Sequence, residues 1–398
     1  MLVFEFKCKA TKQQYQAIDE AIRIGQFIRN KCLRYWMDAS REKKVNYAVL
    51  CQIIPDLCKE FPFAEKLNSM ARQASAERTW FAVSRFFDNC KKKVPGKKGY
   101  PKFKKHSRSV EYKTSGYKIS DERKYLTITD KTGIGKLKLI GSRNLSFYDK
   151  KLIKRVRLIR RADGYYAQFG IDFSREELLP STGKIVGIDV GITSFYTDSN
   201  GNKVDNPKYL RKSEKRLKKA QRRLSKRFKK GKQQSKRYHK QRNKVTKIHL
   251  KVSRQRKDFA VKTAKTLICS NDAVVYEELK IKNMVKNRKL AKSISDASWS
   301  IFTNWLDYFG KIHGRYVQSV APHFTSQNCS NCGEIVKKSL SVKTHICSCG
   351  CVLDRDENAA VNILRKVFPN TAGQAGIYAQ GQTDLCLISE SLLDKLTG

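Results

Sequence analysis

The first nine residues, Met1-Leu-Val-Phe-Glu-Phe-Lys-Cys-Lys9, alternate apolar and polar positions as a half-buried strand does. Thr11-Lys-Gln-Gln14 is a capping-box pattern, and it opens an amphipathic helix carrying Tyr15, Ile18, Ile22 and Phe27. Helical spacing continues to about Asn89 and includes the aromatic run Trp80, Phe81, Phe86 and Phe87. Lys91 to Lys105 (KKKVPGKKGYPKFKK) breaks that spacing, and its Pro95, Gly96, Gly99 and Pro101 predict a basic loop leading back to a sheet. From about Val110 to Phe173 the period becomes two, with a hairpin turn at Asp163-Gly164. These strands fit a small β-barrel whose first strand is Leu2–Lys9, with the helices inserted after it.

A third unit starts at Lys184-Ile-Val-Gly-Ile-Asp-Val-Gly, an apolar strand ending in Asp189, followed by an Asn200-Gly201 turn. Ala273-Val-Val-Tyr-Glu-Glu-Leu repeats the arrangement, a short buried strand ending in acid. Trp299 to Gly314 reads as an aromatic-rich helix, Tyr316 to Val320 as a strand, and Asp354-Arg-Asp356-Glu-Asn-Ala-Ala as the entry to a helix. The stretch after about Pro369 predicts a loosely held tail.

Charge changes the picture. The 398 residues carry 83 Lys+Arg against 36 Asp+Glu, a net charge of +47 on a chain that is still 40% hydrophobic. Aromatics at 10% argue against a disordered polycation. No apolar run approaches the roughly 20 residues of a membrane span, and the start lacks a signal peptide's regions. The expectation is a soluble cytoplasmic protein bound to nucleic acid.

Between Arg211 and Lys262 stand 24 Lys/Arg and two acids. Leu217, Leu224, Val245, Ile248 and Val252 thread this stretch at helical spacing, which predicts two long basic helices broken near Gly231 with a narrow apolar seam. Like charges one turn apart weaken a helix, so a polyanion is the expected neutralising partner. Arg211, Arg216, Arg222, Arg223, Arg227, Arg237, Arg242, Arg254 and Arg256 are the candidate contacts.

Five of the twelve cysteines fall within 23 residues. Cys329-Ser-Asn-Cys332-Gly and Cys347-Ser-Cys349-Gly-Cys351 are two closely spaced sets that suit one structural, tetrahedral Zn2+. Cys329, Cys332, Cys347 and Cys349 are the chosen ligands, with Cys351, His345 and His323 as substitutes. The acids are scarce, so their positions at element ends matter. Asp189, Glu277 and Asp356 could converge at one sheet edge and hold two Mg2+ for in-line phosphodiester hydrolysis.

Gly-Ile-Asp189-Val-Gly, Val-Tyr-Glu277-Glu-Leu, the cysteine knuckles and Asp354-Arg-Asp356-Glu-Asn-Ala-Ala together resemble the TnpB family, transposon-encoded relatives of type V CRISPR effector nucleases. The likeness includes Gly-Tyr-Pro-Lys-Phe-Lys, Ser298-Trp299 and Thr325-Ser-Gln. It implies an α+β multidomain chain: an N-terminal β-barrel with an inserted helical bundle, then an RNase H-like (RuvC) nuclease domain with an inserted zinc ribbon. The expected divisions are a wedge-like barrel over 1–10 and 92–180, helices over 11–91, and RuvC over 181–322 and 352–370 including basic helices 211–262. A zinc ribbon spans 323–351 and a flexible tail 371–398. Resemblance also implies a guide RNA from the transposon end, a short motif flanking a double-stranded DNA target, no obligatory protein partner, and a cytoplasmic, nucleoid-associated location in a prokaryotic cell. By motif, Glu277 rather than Glu278 matches the second acid, and Asp356 the third with Asp354 as competitor. The family's second knuckle is often C-x-x-C, whereas residue 346 here is Ile. The alternatives are a nuclease-inactive RNA-guided repressor and an acidic-triad transposase.

Overall fold

The computed structural model describes residues 1–39, 44–339 and 342–369; the tail expected over 371–398 lies outside them. The chain divides into two compact units, 1–174 and 175–398.

The first unit holds strands β1 (Leu2–Lys9), β2 (Ser109–Lys113), β3 (Tyr117–Ile119), β4 (Tyr125–Ile128), β5 (Lys136–Ile140), β6 (Ile153–Arg161) and β7 (Gly164–Ile171), with helices α1 (Lys12–Asp38), α2 (Tyr47–Glu60) and α3 (Ser69–Lys91) between β1 and β2. Thr11 and Gln14 make the reciprocal capping box that starts α1. The sheet order is β2-β6-β7-β1-β5-β4-β3, so β1 pairs antiparallel with both β7 and β5. The expected barrel does not close. β2 and β3 form the two edges and no ladder pairs them, although the short turn Thr114–Gly116 links them and so curls the sheet until its edges approach. The result is a half-barrel. Phe6, Val110, Leu126, Leu137 and Phe169 of the sheet share one core with Ile18, Ile28 and Leu50 of the helices.

One polar cluster is fully engaged in that unit. Arg155 grips Glu77 of α3 through two bonds of 2.6 and 3.0 Å and reaches Glu111 of β2 at 3.0 Å. Arg157 donates to Glu111 at 2.8 Å, and Lys113 pairs with Glu77 at 3.0 Å. Burial pushes both carboxyls up, but the adjacent cations outweigh it and hold each below its ordinary value.

The second unit contains β8 (Ile185–Val190), β9 (Ser194–Asp198), β10 (Lys203–Asp205), α4 (Tyr209–Ser225), α5 (Lys236–Ser270), β11 (Ala273–Glu277), α6 (Ile281–Met284), α7 (Ala291–Ala297), α8 (Trp299–His313), β12 (Tyr316–Val320), β13 (Thr344–Ile346), β14 (Val352–Asp354) and α9 (Arg355–Arg365). Its main sheet runs β10-β9-β8-β11-β12, with the first three strands antiparallel and β8, β11 and β12 parallel. Alternation along β8 and β11 decides which helices cover which face. Val186, Ile188, Val274 and Tyr276 pack with α5 and α8 residues such as Ala264, Ile268 and Phe302. Ile185 and Val275 meet Ile363 and Leu364 of α9 on the other side. No helix among the described residues is long and apolar enough to cross a membrane.

Candidate active site and metal centre

Asp189 is the fifth residue of β8 and Glu277 the last of β11. The parallel register pairs Tyr276 with Ile188, so the next step along each strand sets Glu277 beside Asp189. Both acids share the face of Ile185 and Val275, the face that α9 covers. Gly187 lets the helix lie close: a Cβ there would stand 2.2 Å from the Ala360 carbonyl oxygen and 2.8 Å from Leu364 Cβ. That approach brings the first turn of α9, with Asp356, to the strand ends. Asp189, Glu277 and Asp356 line one cleft of about 350 Å3 together with Thr325, Gln327, Lys338 and Arg355.

The electrostatics differ from those of the engaged cluster in the first unit. Burial, then Glu277 and Asp356, push Asp189 up to about 8, with Arg355 opposing. Glu277 accepts from the Thr325 hydroxyl at 2.8 Å, and Asp356 from Arg355 at 3.0 Å. Asp354, the competitor for the third position, is spent on structure. It caps α9 by accepting from the Asp356 amide at 2.9 Å and pairs with Lys203 at 2.7 Å. Glu278 is exposed, and its backbone amide donates to the Val320 carbonyl.

The cysteines sit on two turns. β13 and β14 form a hairpin whose tip is the second knuckle, where Gly350 takes φ +84°. The Cys329, Cys332, Cys347 and Cys349 sulfurs all lie within 4.8 Å of one another. Cys332–Cys347 is 3.5 Å and Cys329–Cys349 3.7 Å, close to the edge of about 3.8 Å that a tetrahedron with Zn–S bonds of about 2.3 Å has. Four thiol donors at that spacing can hold a metal such as zinc. Cys351 lies outside the quartet, as do His345 and His323. His345 is fully buried, with Nδ1 against Lys338. The knuckles and α9 are tied together: Asn358 Oδ1 accepts from Ser330 N at 2.9 Å, and its Nδ2 donates to the Asn328 carbonyl at 2.8 Å. Asn362 donates to the Thr325 and Asn328 carbonyls at 2.8 and 2.7 Å.

Residues 168–288 match the OrfB_IS605 family, described as a probable transposase, and residues 299–363 match the Cas12f1-like TNB domain. A Streptomyces pristinaespiralis protein, provisionally named an RNA-guided DNA endonuclease, is 30% identical over 391 residues, 96% of this chain and 92% of that one. The chain belongs to the TnpB family. A TnpB-like protein of Acanthamoeba polyphaga mimivirus is 35% identical over 126 residues, 30% of this chain and 24% of the viral one. In fold, the chain is similar to the protein in a cryo-EM structure of a Cas12f1–sgRNA–target DNA complex. The TM-score is 0.53 at 16% identity, covering 88% of this chain and 81% of that one.

In this TnpB-family chain the basic stretch folds as the hairpin of α4 and α5, sealed by Leu217, Val245 and Ile248. Arg211, Arg216, Arg222, Arg223, Arg227, Arg237, Arg242 and Arg254 are exposed. Arg256 departs from the expected role. Its guanidinium turns inward to Asp296 at 2.8 and 3.0 Å, and Asp296 also accepts from the Leu210 and Arg211 amides at the start of α4. Arg256 therefore holds the base of the hairpin. Sequence reasoning missed Asp296, Lys338, Arg355 and Asn358. Asn358 and Arg355 stand within the Asp354-to-Ala360 motif, so their positions were visible though their contacts were not.

Proposed function

We propose that the chain is an RNA-guided DNA endonuclease with one RuvC-like, RNase H-fold active site. The reading is supported above all by three carboxylates from β8, β11 and α9 lining one cleft. The strand order, three antiparallel then two parallel, supports the nuclease-fold reading, and the curated relative's name supports the activity class. On this reading a transposon-derived guide RNA is held by the half-barrel and its helices, residues 1–180, which also read a short motif flanking the double-stranded target. Base pairing to the guide supplies sequence specificity while the protein senses backbone shape. The exposed arginines of α4 and α5 neutralise phosphates along the strand.

The donor set at the cleft fits hard divalent cations: three carboxylates, of which Asp189 is raised first by burial and then by its two acidic neighbours. Asp189, Glu277 and Asp356 would hold two Mg2+, which supply charge neutralisation at the attacking and leaving oxygens of an in-line displacement. Thr325 orients Glu277, and Arg355 balances Asp356. The cysteine quartet would hold zinc and brace the loop that Asn358 and Asn362 tie to α9, which helps fix where Asp356 stands. Asp189→Ala tests the reading. Cleavage of a matched target should vanish while copurifying guide RNA stays bound; retained cleavage overturns it.

A further inference from the structure

The segment 91–105 is a second strongly basic feature, separate in sequence from α4, α5 and the residues of the carboxylate cleft. It carries eight lysines and no acid. Seven of the eight are exposed, and none forms an ion pair among the described residues. Such a stretch is ordinarily a solvated loop, and its like charges favour disorder. Here its backbone is tied down. Asn89 donates to the Lys98 carbonyl at 3.0 Å and Asn30 to the Lys104 carbonyl at 3.0 Å. The Lys104 amide returns a bond to Asn30 at 2.9 Å, and Gln26 donates to the Lys105 carbonyl at 3.1 Å. The strap therefore runs antiparallel along α1, from Tyr100 beside Trp36 to Lys105 beside Gln26.

Aromatic rings stand among these ammonium groups. Trp36, Phe86, Phe87 and Tyr100 form one cluster with ring centroids 5.2 to 6.0 Å apart. Three rings are left open to solvent: Phe87 is 50%, Tyr100 52% and Phe103 45% exposed. Exposed aromatic rings standing among unneutralised lysines suit a binding surface. A protein partner would leave eight unpaired positive charges to desolvate beside it, whereas an unpaired nucleic-acid strand satisfies both features. Its phosphates meet the lysines and its bases stack on the rings.

We infer that the strap 91–105, with Phe87, Tyr100 and Phe103, is a stacking platform for single-stranded nucleic acid. The partner class rests on the nuclease reading above, but the site and its test do not use the cleft. The probe is a short oligonucleotide of about 12 residues, made both as 5-iodouridine RNA and as 5-iododeoxyuridine DNA, photo-cross-linked to the full chain with duplex competitor present. Cross-links should map to Phe87, Tyr100 or Phe103; cross-links confined to 209–270 or elsewhere overturn the inference. A strand preference between the two probes identifies which nucleic acid is held.

Affinity gives an independent reading. Phe87→Ala with Phe103→Ala should weaken single-strand binding by about 5- to 100-fold. Phe87→Tyr with Phe103→Tyr should restore it to within about twofold, an outcome a purely structural role does not produce. Lys102→Gln with Lys104→Gln should lower the salt slope by about 0.7 for each phosphate left without its lysine. Unchanged binding by a folded alanine pair overturns the inference, and if that pair unfolds the wild-type cross-links decide. Failure here leaves the carboxylate reading intact, because no cleavage is measured. Conversely, cleavage by Asp189→Ala would remove the nuclease reading and leave the platform standing.

Discussion

Glu111 and Asp189 are both carboxylates packed against a sheet, and their surroundings are opposite. Glu111 lies in the first unit between Arg155 and Arg157, which hold its carboxyl below the ordinary value despite burial. Asp189 lies in the second unit beside Glu277 and Asp356, and burial with those two anions raises it to about 8. A paired buried charge ties α3, β2 and β6 together. Three carboxylates set against the nearby Arg355 cation cost folding free energy, and so point to a ligand that neutralises them. The same functional group is thus neutralised by cations in one unit and crowded by like charges in the other.

The sharpest way to break this contrast is Asp189→Asn. Cleavage should fall about a thousandfold or more, because charge neutralisation at the reacting oxygens is lost. The metal-free protein should nevertheless melt about 2–4 °C higher near neutral pH, since Asn needs no proton taken up on folding whereas the raised Asp189 carboxyl does; a lower melting point in calorimetry would show that Asp189 is structural. Glu111→Gln should do the reverse, lowering stability by about 3–5 kcal/mol in denaturant titrations while leaving the cleft's chemistry in place.

The pH dependence carries the same sign argument. The folded Glu77 and Glu111 carboxyls sit below their unfolded values, so protons favour the unfolded chain. Their contribution is complete above the unfolded carboxyl range, near about 4.3, and is lost as pH falls through the folded values. Acid titration of Glu111→Gln should show a shallower loss than the parent.

A smaller effect is expected where the two metal-site ideas meet. Cys349→Ser should release zinc, measured by elemental analysis, and Cys351→Ser should retain it. Asn358→Ala should keep the metal, cost about 1–3 kcal/mol, and lower cleavage by about 10- to 100-fold through a displaced Asp356. Smallest of all is the split between two arginines. Arg216→Ala should leave stability within about 0.5 kcal/mol and reduce the duplex salt slope by about 0.9, whereas Arg256→Ala should destabilise by leaving buried Asp296 short of a partner.

Much of the local structure was legible in the amino-acid pattern. Thr11 and Gln14 announced the start of α1, Asp163-Gly164 the β6–β7 hairpin, and the Leu217-to-Ile248 seam the basic helix pair. These features follow from periods and caps within a few residues, which the chain carries linearly. The acids at strand and helix ends were visible as positions, and the cysteine spacing as a candidate metal set. Beyond that, tertiary structure decided. The half-barrel stays open because no ladder forms between its edge strands β2 and β3, although the turn at Thr114–Gly116 brings their ends together, and Arg256 faces inward because Asp296 arrives from 40 residues away. Cys349 joins the quartet while Cys351 does not, a difference of two residues on a hairpin tip set by how the knuckles face each other. Above all, the pattern placed Asp189, Glu277 and Asp356 at element ends, but only strand register and the close approach of α9 at Gly187 bring them into one cleft. Convergence of distant residues depends on packing distances, and no periodicity along the chain encodes those.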